Sequence, residues 1–335
     1  MKGRAAGQKI GITGLGVHVP EQVMTNDDLA KYVDTSDEWI RSRTGIVERR
    51  IAGPDEALTD VARPAVKAAL ADAGVDASSI DLVICATVTP DMLFPTSSAL
   101  LADEFGMPDA AAYDLLAGCT GFMYAVAQAY GMLASGLSKR ALVVGGDVLS
   151  KILDWSDRST LVLFGDGAGA VVMEPVEQGG FLGFELGADG GGGVHLCYPG
   201  SGSRKFDDPA SVLRMNGREV FKFATRVMVS SAEAVLDECG KSVDEVDVYV
   251  PHQANKRIID HAVGKLGVPM ENTIVNVDRY GNTSSGSIPI ALAEARDDGR
   301  LKAGSLVLMT GMGAGLTWGS ALLEWSGTSA GGGIA

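Results

Sequence analysis

Aromatic residues are scarce in this chain, at 6% of 335 residues, and so are cysteine and histidine, at four each. Cys85, Cys119, Cys197 and Cys239 lie far apart, with no CxxC pair. That spacing excludes a disulfide framework and points to reduced thiols in a cytoplasm. His18, His195, His252 and His261 form no HExxH or Cys/His cluster, so no metal site is expected. Positive charge is also short: 28 basic against 42 acidic residues give a net charge of −14. Such a surface repels phosphate backbones and anionic lipid, so neither nucleic acid nor membrane is an expected partner. No apolar run reaches the roughly 18 residues of a membrane span. The start, MKGRAAGQKIGITGLG, lacks the apolar stretch of a signal peptide.

What the chain has is a large apolar fraction, 46%, a mean hydropathy of +0.15 and 44 glycines. That is enough for about two domain equivalents or one large α/β unit. Residues 65–87, AVKAALADAGVDASSIDLVICAT, and 231–252, SAEAVLDECGKSVDEVDVYVPH, follow one plan. Setting Gly74 on Gly240, an offset of 166, also sets Leu70 on Leu236 and Asp81 on Asp247 without a gap. Each copy reads as a helix ended by glycine, a polar link and a β-branched strand. The following segments, AYDLLAGCTGFMYAVAQAY with KRALVVGGD, and IVNVDRYGNTSSGSIPIALAEA with GSLVLMTGM, each read strand, turn, helix, strand. A duplicated α/β architecture follows, with a first half over residues 1–180 and a second over 181–335.

Between these blocks, residues 186–214 are Gly/Ser-rich and weakly periodic, and read as a long loop. Residues 326–335, ending SAGGGIA, read as a disordered tail. Thr35-Ser36-Asp37-Glu38 reads as a capping box opening a helix through Trp39, Ile40 and Arg43.

Three residues stand where an α/β fold presents chemistry. Cys119, between Gly118 and Gly121, opens an almost wholly apolar helix. Unpaired N–H groups and the helix dipole favour a thiolate there. A buried space-filling cysteine is the plain alternative, and Cys85, mid-strand in LVICATV, is of that inert kind. His252 follows a strand in DVYVPHQANKRIID. Asn282 occupies a Gly-Asn turn before a helix, where it could equally be a capping residue. Taken together, a thiol nucleophile with an imidazole and an amide as donors to an oxyanion forms a catalytic set if the halves pack face to face. The glycine-rich LMTGMGAGLTWGSALL turn can add backbone N–H groups, or simply line a sheet.

As a set, the motifs resemble β-ketoacyl-[acyl carrier protein] synthase III, a condensing-enzyme family with the thiolase fold. The resemblance runs through TSDEWIRSRTGIVERRIA (35–52), TPDMLFPT (89–96), DLLAGCTGFMYA (114–125), DRSTLVLFGDGAGAVV (157–172), NGREVFKF (216–223), VPHQANKRIID (250–260), NVDRYGNTSSGSIPIAL (276–292) and GAGLTWGSAL (313–322). It covers residue 9 to about 325, and the order of the Cys, HQAN and GNTS blocks is its specific part.

The resemblance implies a five-layer αβαβα sandwich and a condensation of an acyl-CoA primer with malonyl-[acyl carrier protein], without a cofactor. Cys119 would carry the acyl group. His252 and Asn282 would hold the thioester oxygen and the enolate left by decarboxylation. Backbone N–H groups of Cys119 and Ala314 would form the oxyanion hole; the family commonly has glycine at the latter position. Trp39 and Arg158 would sandwich the CoA adenine, with Arg43 near its phosphates and Asn255 at the pantetheine end. Phe94 would reach across a homodimer into the partner's acyl pocket. Arg218, Lys222, Arg257 and Lys265 would dock the acidic carrier protein; Arg218, Lys222 and Arg226 share one face of a helix over 216–226.

Rival readings differ at nameable residues. A papain-like protease also orders Cys, His and Asn, but has no duplication of this kind. A biosynthetic thiolase needs a second reactive cysteine near the C-terminus, and the last here is Cys239. A starter-unit condenser or acyltransferase of a polyketide pathway would keep the same set. A non-catalytic partner would have little reason to.

Overall fold

The computed structural model describes residues 1–5, 7–200, 202–203 and 211–327. Ten strands build two five-stranded sheets: β1 (Lys2–Arg4), β2 (Ile10–His18), β3 (Leu82–Ala86), β4 (Ala111–Leu115), β5 (Ala141–Asp147), β6 (Gly167–Pro175), β7 (Gly180–Ala188), β8 (Val248–Pro251), β9 (Leu306–Gly313) and β10 (Thr317–Glu324). The first sheet runs β2-β6-β5-β3-β4 and the second β1-β7-β10-β9-β8. In the first, β3 is parallel to β4 and β5, while β6 is antiparallel to β5 and β2. The second repeats this pattern: β8 is parallel to β9, and β10 is antiparallel to β9 and β7. Where the first sheet has β4, the second has a single parallel bridge between Tyr249 and Thr273.

Among the helices that cover or separate the sheets are α1 (Asp37–Thr44), α2 (Leu58–Ala73), α3 (Gly121–Ala134), α4 (Gly217–Cys239), α5 (Lys256–Leu266) and α6 (Ser287–Asp297). One buried apolar cluster packs α2 on the outer face of the first sheet. Another fills the space between the sheets with α3 and α6. The largest packs α4 and α5 on the far side of the second sheet. The result is the five-layer αβαβα order. β3, LVICA, is buried at every position, as a strand covered on both faces must be.

The duplication is visible at single residues. Gly74 ends α2 at φ +65° and Gly240 ends α4 at φ +66°, left-handed positions that favour glycine. Asp81 and Asp247 each receive a backbone N–H from the start of the neighbouring strand, from Arg140 and from Leu306.

Five sequence expectations are corrected. The 186–214 loop is partly structured: β7 runs to Ala188, a 3-10 turn spans Gly190–His195, and Leu196–Cys197 pairs with Arg214–Met215. Residues 201 and 204–210 of it lie outside the described residues. Of the expected tail, 328–335 lie outside the described residues, whereas Ser326 donates to the Ile12 carbonyl at 2.8 Å. The cap of α1 is Ser36, whose side chain accepts from Trp39 N–H, so Thr35 is not the cap. The expected helix over 216–226 and the helix of the second repeat are one 23-residue element, α4. The 1–180 boundary also fails at its start, because β1 pairs with β7 in the second sheet.

Candidate active site

Cys119, His252 and Asn282 line one cavity of about 640 Å³. Cys119 sits in a 3-10 turn, Gly118–Thr120, directly ahead of α3, and is only 8% exposed. Gly118 has φ +56°. A Cβ on it would lie 2.6 Å from Ala314 N, and one on Gly313 would lie 2.5 Å from Cys119 N. Two backbones are thus in contact, and the amides of Cys119 and Ala314 adjoin. Ala314 does not have the positive φ that would strain a side chain, so alanine fits there as well as glycine would.

Burial pushes the Cys119 thiol up to about 11; the polar side chains of Ser284 and Asn282 beside it work against that. Asn282 is clamped through its backbone. Its N–H donates to Leu163 O at 2.9 Å and its carbonyl accepts from Gly165 N–H at 3.1 Å. Its Oδ1 accepts from Ser284 N–H at 2.9 Å, which leaves Nδ2 as a donor toward the cavity. Ser284 holds φ +52°, the one positive φ at a non-glycine among the described residues.

His252 continues the β8–β9 ladder by donating its N–H to Thr310 O at 2.8 Å. Its side chain is buried, its Nδ1 lies 2.5 Å from Ser287 Oγ, and Nε2 has no partner. Burial lowers its pKa to about 3, so the ring is neutral in the ordinary working range. Gln253 fixes the turn after it, donating to Pro251 O and Ile274 O and accepting from the N–H groups of Asn276 and Val277.

Toward the mouth the wall includes Trp39, Arg43, Asn255, Arg218, Lys222 and Arg257. The Arg158 and Arg43 guanidinium carbons lie 4.7 and 4.8 Å from the Trp39 ring centre. Asn255 caps α5 through Arg257 N–H and donates to the Arg43 carbonyl at 3.2 Å, so it ties α5 to the end of α1. Lys222 pairs with Glu219 at 2.7 Å, and Arg257 stacks 5.3 Å from the Phe221 ring. Lys265 is exposed on α5 and is not part of the wall. Phe94, 81% exposed, also lies outside it. Cys85 is fully buried mid-strand, with its thiol pushed well up by burial.

Ser284, Ser287 and Gln253 stood unassigned within the GNTSSGS and HQAN blocks. The 166 offset offered one signal: it places Ser284 on Gly118, and both have a left-handed backbone. Among the described residues no group of three or more His, Cys, Asp or Glu is placed to hold a metal. No helix of the described chain is long and apolar enough to cross a membrane.

Residues 113–190 match the family described as 3-Oxoacyl-[acyl-carrier-protein (ACP)] synthase III, and residues 236–325 match its C-terminal region. The beta-ketoacyl-[acyl-carrier-protein] synthase III of Symbiobacterium thermophilum is 53% identical over 323 residues, covering 94% of this chain and 98% of that protein. The chain belongs to the beta-ketoacyl-[acyl-carrier-protein] synthase III family. Like its relatives in synthase III, it is a condensing acyltransferase. Among solved structures, the synthase III of Thermus thermophilus is 51% identical with a TM-score of 0.90, covering 95% of this chain and all of that one. A priming beta-ketosynthase of the R1128 polyketide pathway is 37% identical with the same TM-score, covering 96% and 98%.

Proposed function

We propose that the protein joins an acyl-CoA primer to malonyl-[acyl carrier protein], giving 3-ketoacyl-[acyl carrier protein], CO2 and CoA. The observation that carries this reading is the single cavity shared by Cys119, His252 and Asn282. In the first stage Cys119 Sγ attacks the primer thioester carbonyl. The carbonyl oxygen, negative in the tetrahedral intermediate, accepts from the N–H groups of Cys119 and Ala314. CoA leaves as a thiolate and takes up the proton lost by the cysteine. The acyl group stays on sulfur.

In the second stage the malonyl thioester oxygen accepts from His252 Nε2 and Asn282 Nδ2. Loss of CO2 breaks a C–C bond, and its electron pair becomes the enolate. Each donor aimed at the developing charge lowers the barrier by about 3–4 kcal/mol. No carboxylate base is required, because decarboxylation supplies the carbanion. The enolate carbon attacks the acyl thioester, the same two backbone N–H groups hold the new oxyanion, and Cys119 departs as a thiolate that takes one proton from solvent to restore the thiol. The chain's own groups suffice for every step, so no cofactor enters.

Trp39, Arg43 and Arg158 form the CoA platform in this reading: Arg158 swings off the indole and closes on the other face of the adenine. Asn255 steadies the pantetheine wall. Arg218, Lys222 and Arg257 at the mouth, with Lys265 further along α5, give an acidic carrier a local positive surface on a molecule of net charge −14. A homodimer is part of the proposal. Phe94, Leu93, Met92 and Leu116 are exposed apolar side chains. The 94–98 segment is held beside the end of β4 by Ser97 and Ser98 N–H bonds to Asp114. A partner covering this patch would receive Phe94 in its acyl pocket. A cytoplasmic location suits the four free cysteines. The polyketide-priming neighbour keeps a starter-unit condenser as the second reading.

The test is sequential. Incubation with labelled acyl-CoA should add one acyl mass at Cys119, and malonyl carrier protein should then discharge it with one CO2 per 3-ketoacyl product. Absence of the adduct, or discharge by water alone, would refute the assignment.

A further inference from the structure

We propose that Ser287 sets the tautomer of His252, so that the imidazole meets the cavity with an N–H and not with a lone pair. Two hydrogen-bond inventories lead there. A serine hydroxyl has one hydrogen to donate and two lone pairs to accept with. Ser287 Oγ already receives the Gln253 N–H at 3.4 Å. Among the described residues that hydroxyl has no other acceptor than His252 Nδ1, 2.5 Å away, so we assign its own hydrogen to that contact. A neutral ring that accepts at Nδ1 must carry its proton on Nε2. Nε2 is the buried atom left without a protein partner, on a residue that lines the cavity.

The two halves of the molecule give a second, independent observation. By the 166 offset His252 corresponds to Ala86 and Ser287 to Gly121. Those first-half residues also adjoin: a Cβ on Gly121 would lie 3.1 Å from the Ala86 Cβ. The same point of contact between strand end and helix start is therefore made twice. It is a bare alanine–glycine contact in one half and a hydrogen-bonded histidine–serine pair in the other. Ser287, as the first residue of α6, is held by the helix backbone and cannot drift from the ring without disturbing the turn that carries Asn282.

Ser287 touches no substrate in this scheme and is a positioning residue. Its use in the reaction rests on the condensing role proposed above; the tautomer does not. Removing the hydroxyl frees Nδ1 to take the proton, and the cavity then faces a lone pair that repels a thioester or enolate oxygen.

The experiment is nitrogen NMR on protein labelled with 15N at the histidine rings, with His252→Ala to assign the signal among four histidines. In the native protein Nε2 should show a protonated, pyrrole-type shift and Nδ1 an unprotonated, pyridine-type shift, unchanged from pH 6 to 8. Ser287→Ala should mix or reverse the two, and Ser287→Thr should restore them. In parallel, Ser287→Ala should slow release of CO2 from malonyl carrier protein by about 10–100-fold, the range typical for loss of an orienting partner. Acyl transfer from acyl-CoA to Cys119 should suffer far less. A proton on Nδ1 in the native protein overturns the proposal, and so does an unaltered tautomer in Ser287→Ala. If Ser287→Ala does not fold, the native spectrum alone decides. Should the tautomer follow Ser287 while no acyl group reaches Cys119, the positioning stands and the condensing role falls.

Discussion

The turn holding Cys119 and the turn holding Ser285 are one local structure used twice. Each is a 3-10 turn before a helix between the sheets, each begins with a left-handed residue, Gly118 at φ +56° and Ser284 at φ +52°, and they stand 166 residues apart. Their side chains have opposite fates. Cys119 opens on the cavity. Ser285 Oγ lies 2.8 Å from both Ala86 O and Asp147 Oδ2, with the Asp147 carboxylate also taking Ser285 N–H. On its other side Asp147 accepts from Thr87, Val88 and Thr89 of the first half. One copy of the turn thus brings a thiol to the cavity, and the other is spent on joining the halves around it. A helix start presents a nucleophile only where its neighbours leave the side chain unbound and the space before it open.

The sharpest way to break this contrast is to exchange the nucleophile. Cys119→Ser should lower acyl transfer at least about a thousandfold, since a hydroxyl without a base is a poor nucleophile. Ser285→Cys in a Cys119→Ala background should take up no acyl group, as judged by intact mass. An adduct on residue 285 would show that the turn alone suffices. Next in size, His252→Ala and Asn282→Ala should each cut decarboxylation by about 10²–10³-fold. Acylation of Cys119 should persist, because its oxyanion donors are backbone groups. Equal losses in both steps would mean that the two halves do not divide the work this way. The smallest effect is expected from Asp147→Asn. It weakens the bonds between halves and should cost about 1–3 kcal/mol in denaturant unfolding. The Asp147 charge is one of the influences holding the Cys119 thiol up, so its removal should move the pH midpoint of thiol alkylation downward from about 11. An upward move would contradict the electrostatic reading.

Much of this was legible before any coordinates. The repeat around Gly74 and Gly240 carried the architecture, because glycine at a helix end and a β-branched strand after it are strong local signals. That Cys119, His252 and Asn282 come to one cavity was readable because strand ends and helix starts are where the layers meet. The sequence said less about bonds that close over long separations. The crossing of β1 to the second sheet depends on pairing with β7, some 180 residues on. The 186–214 segment looked like a loop because its pairing partners, Trp318 with Gly187 and Met215 with Leu196, are distant in the chain. Ser36 displaced Thr35 as the cap of α1 by one residue, a boundary shift that composition does not resolve. Ser287 was invisible as a partner of His252 because 35 residues separate them.

The near-contact of Gly118 with Ala314 and of Gly313 with Cys119 has a practical consequence for anyone redesigning this enzyme. Beside Cys119, main chain rests on main chain, so those two glycines are rigid fixtures: a methyl group on either would wedge the lobes apart. Position 314 already carries a methyl group on a backbone without positive φ, and its carbonyl accepts from Thr317 Oγ1 at 2.9 Å. Specificity engineering should begin further out, among the side chains that line the cavity, and leave this contact of bare backbone untouched.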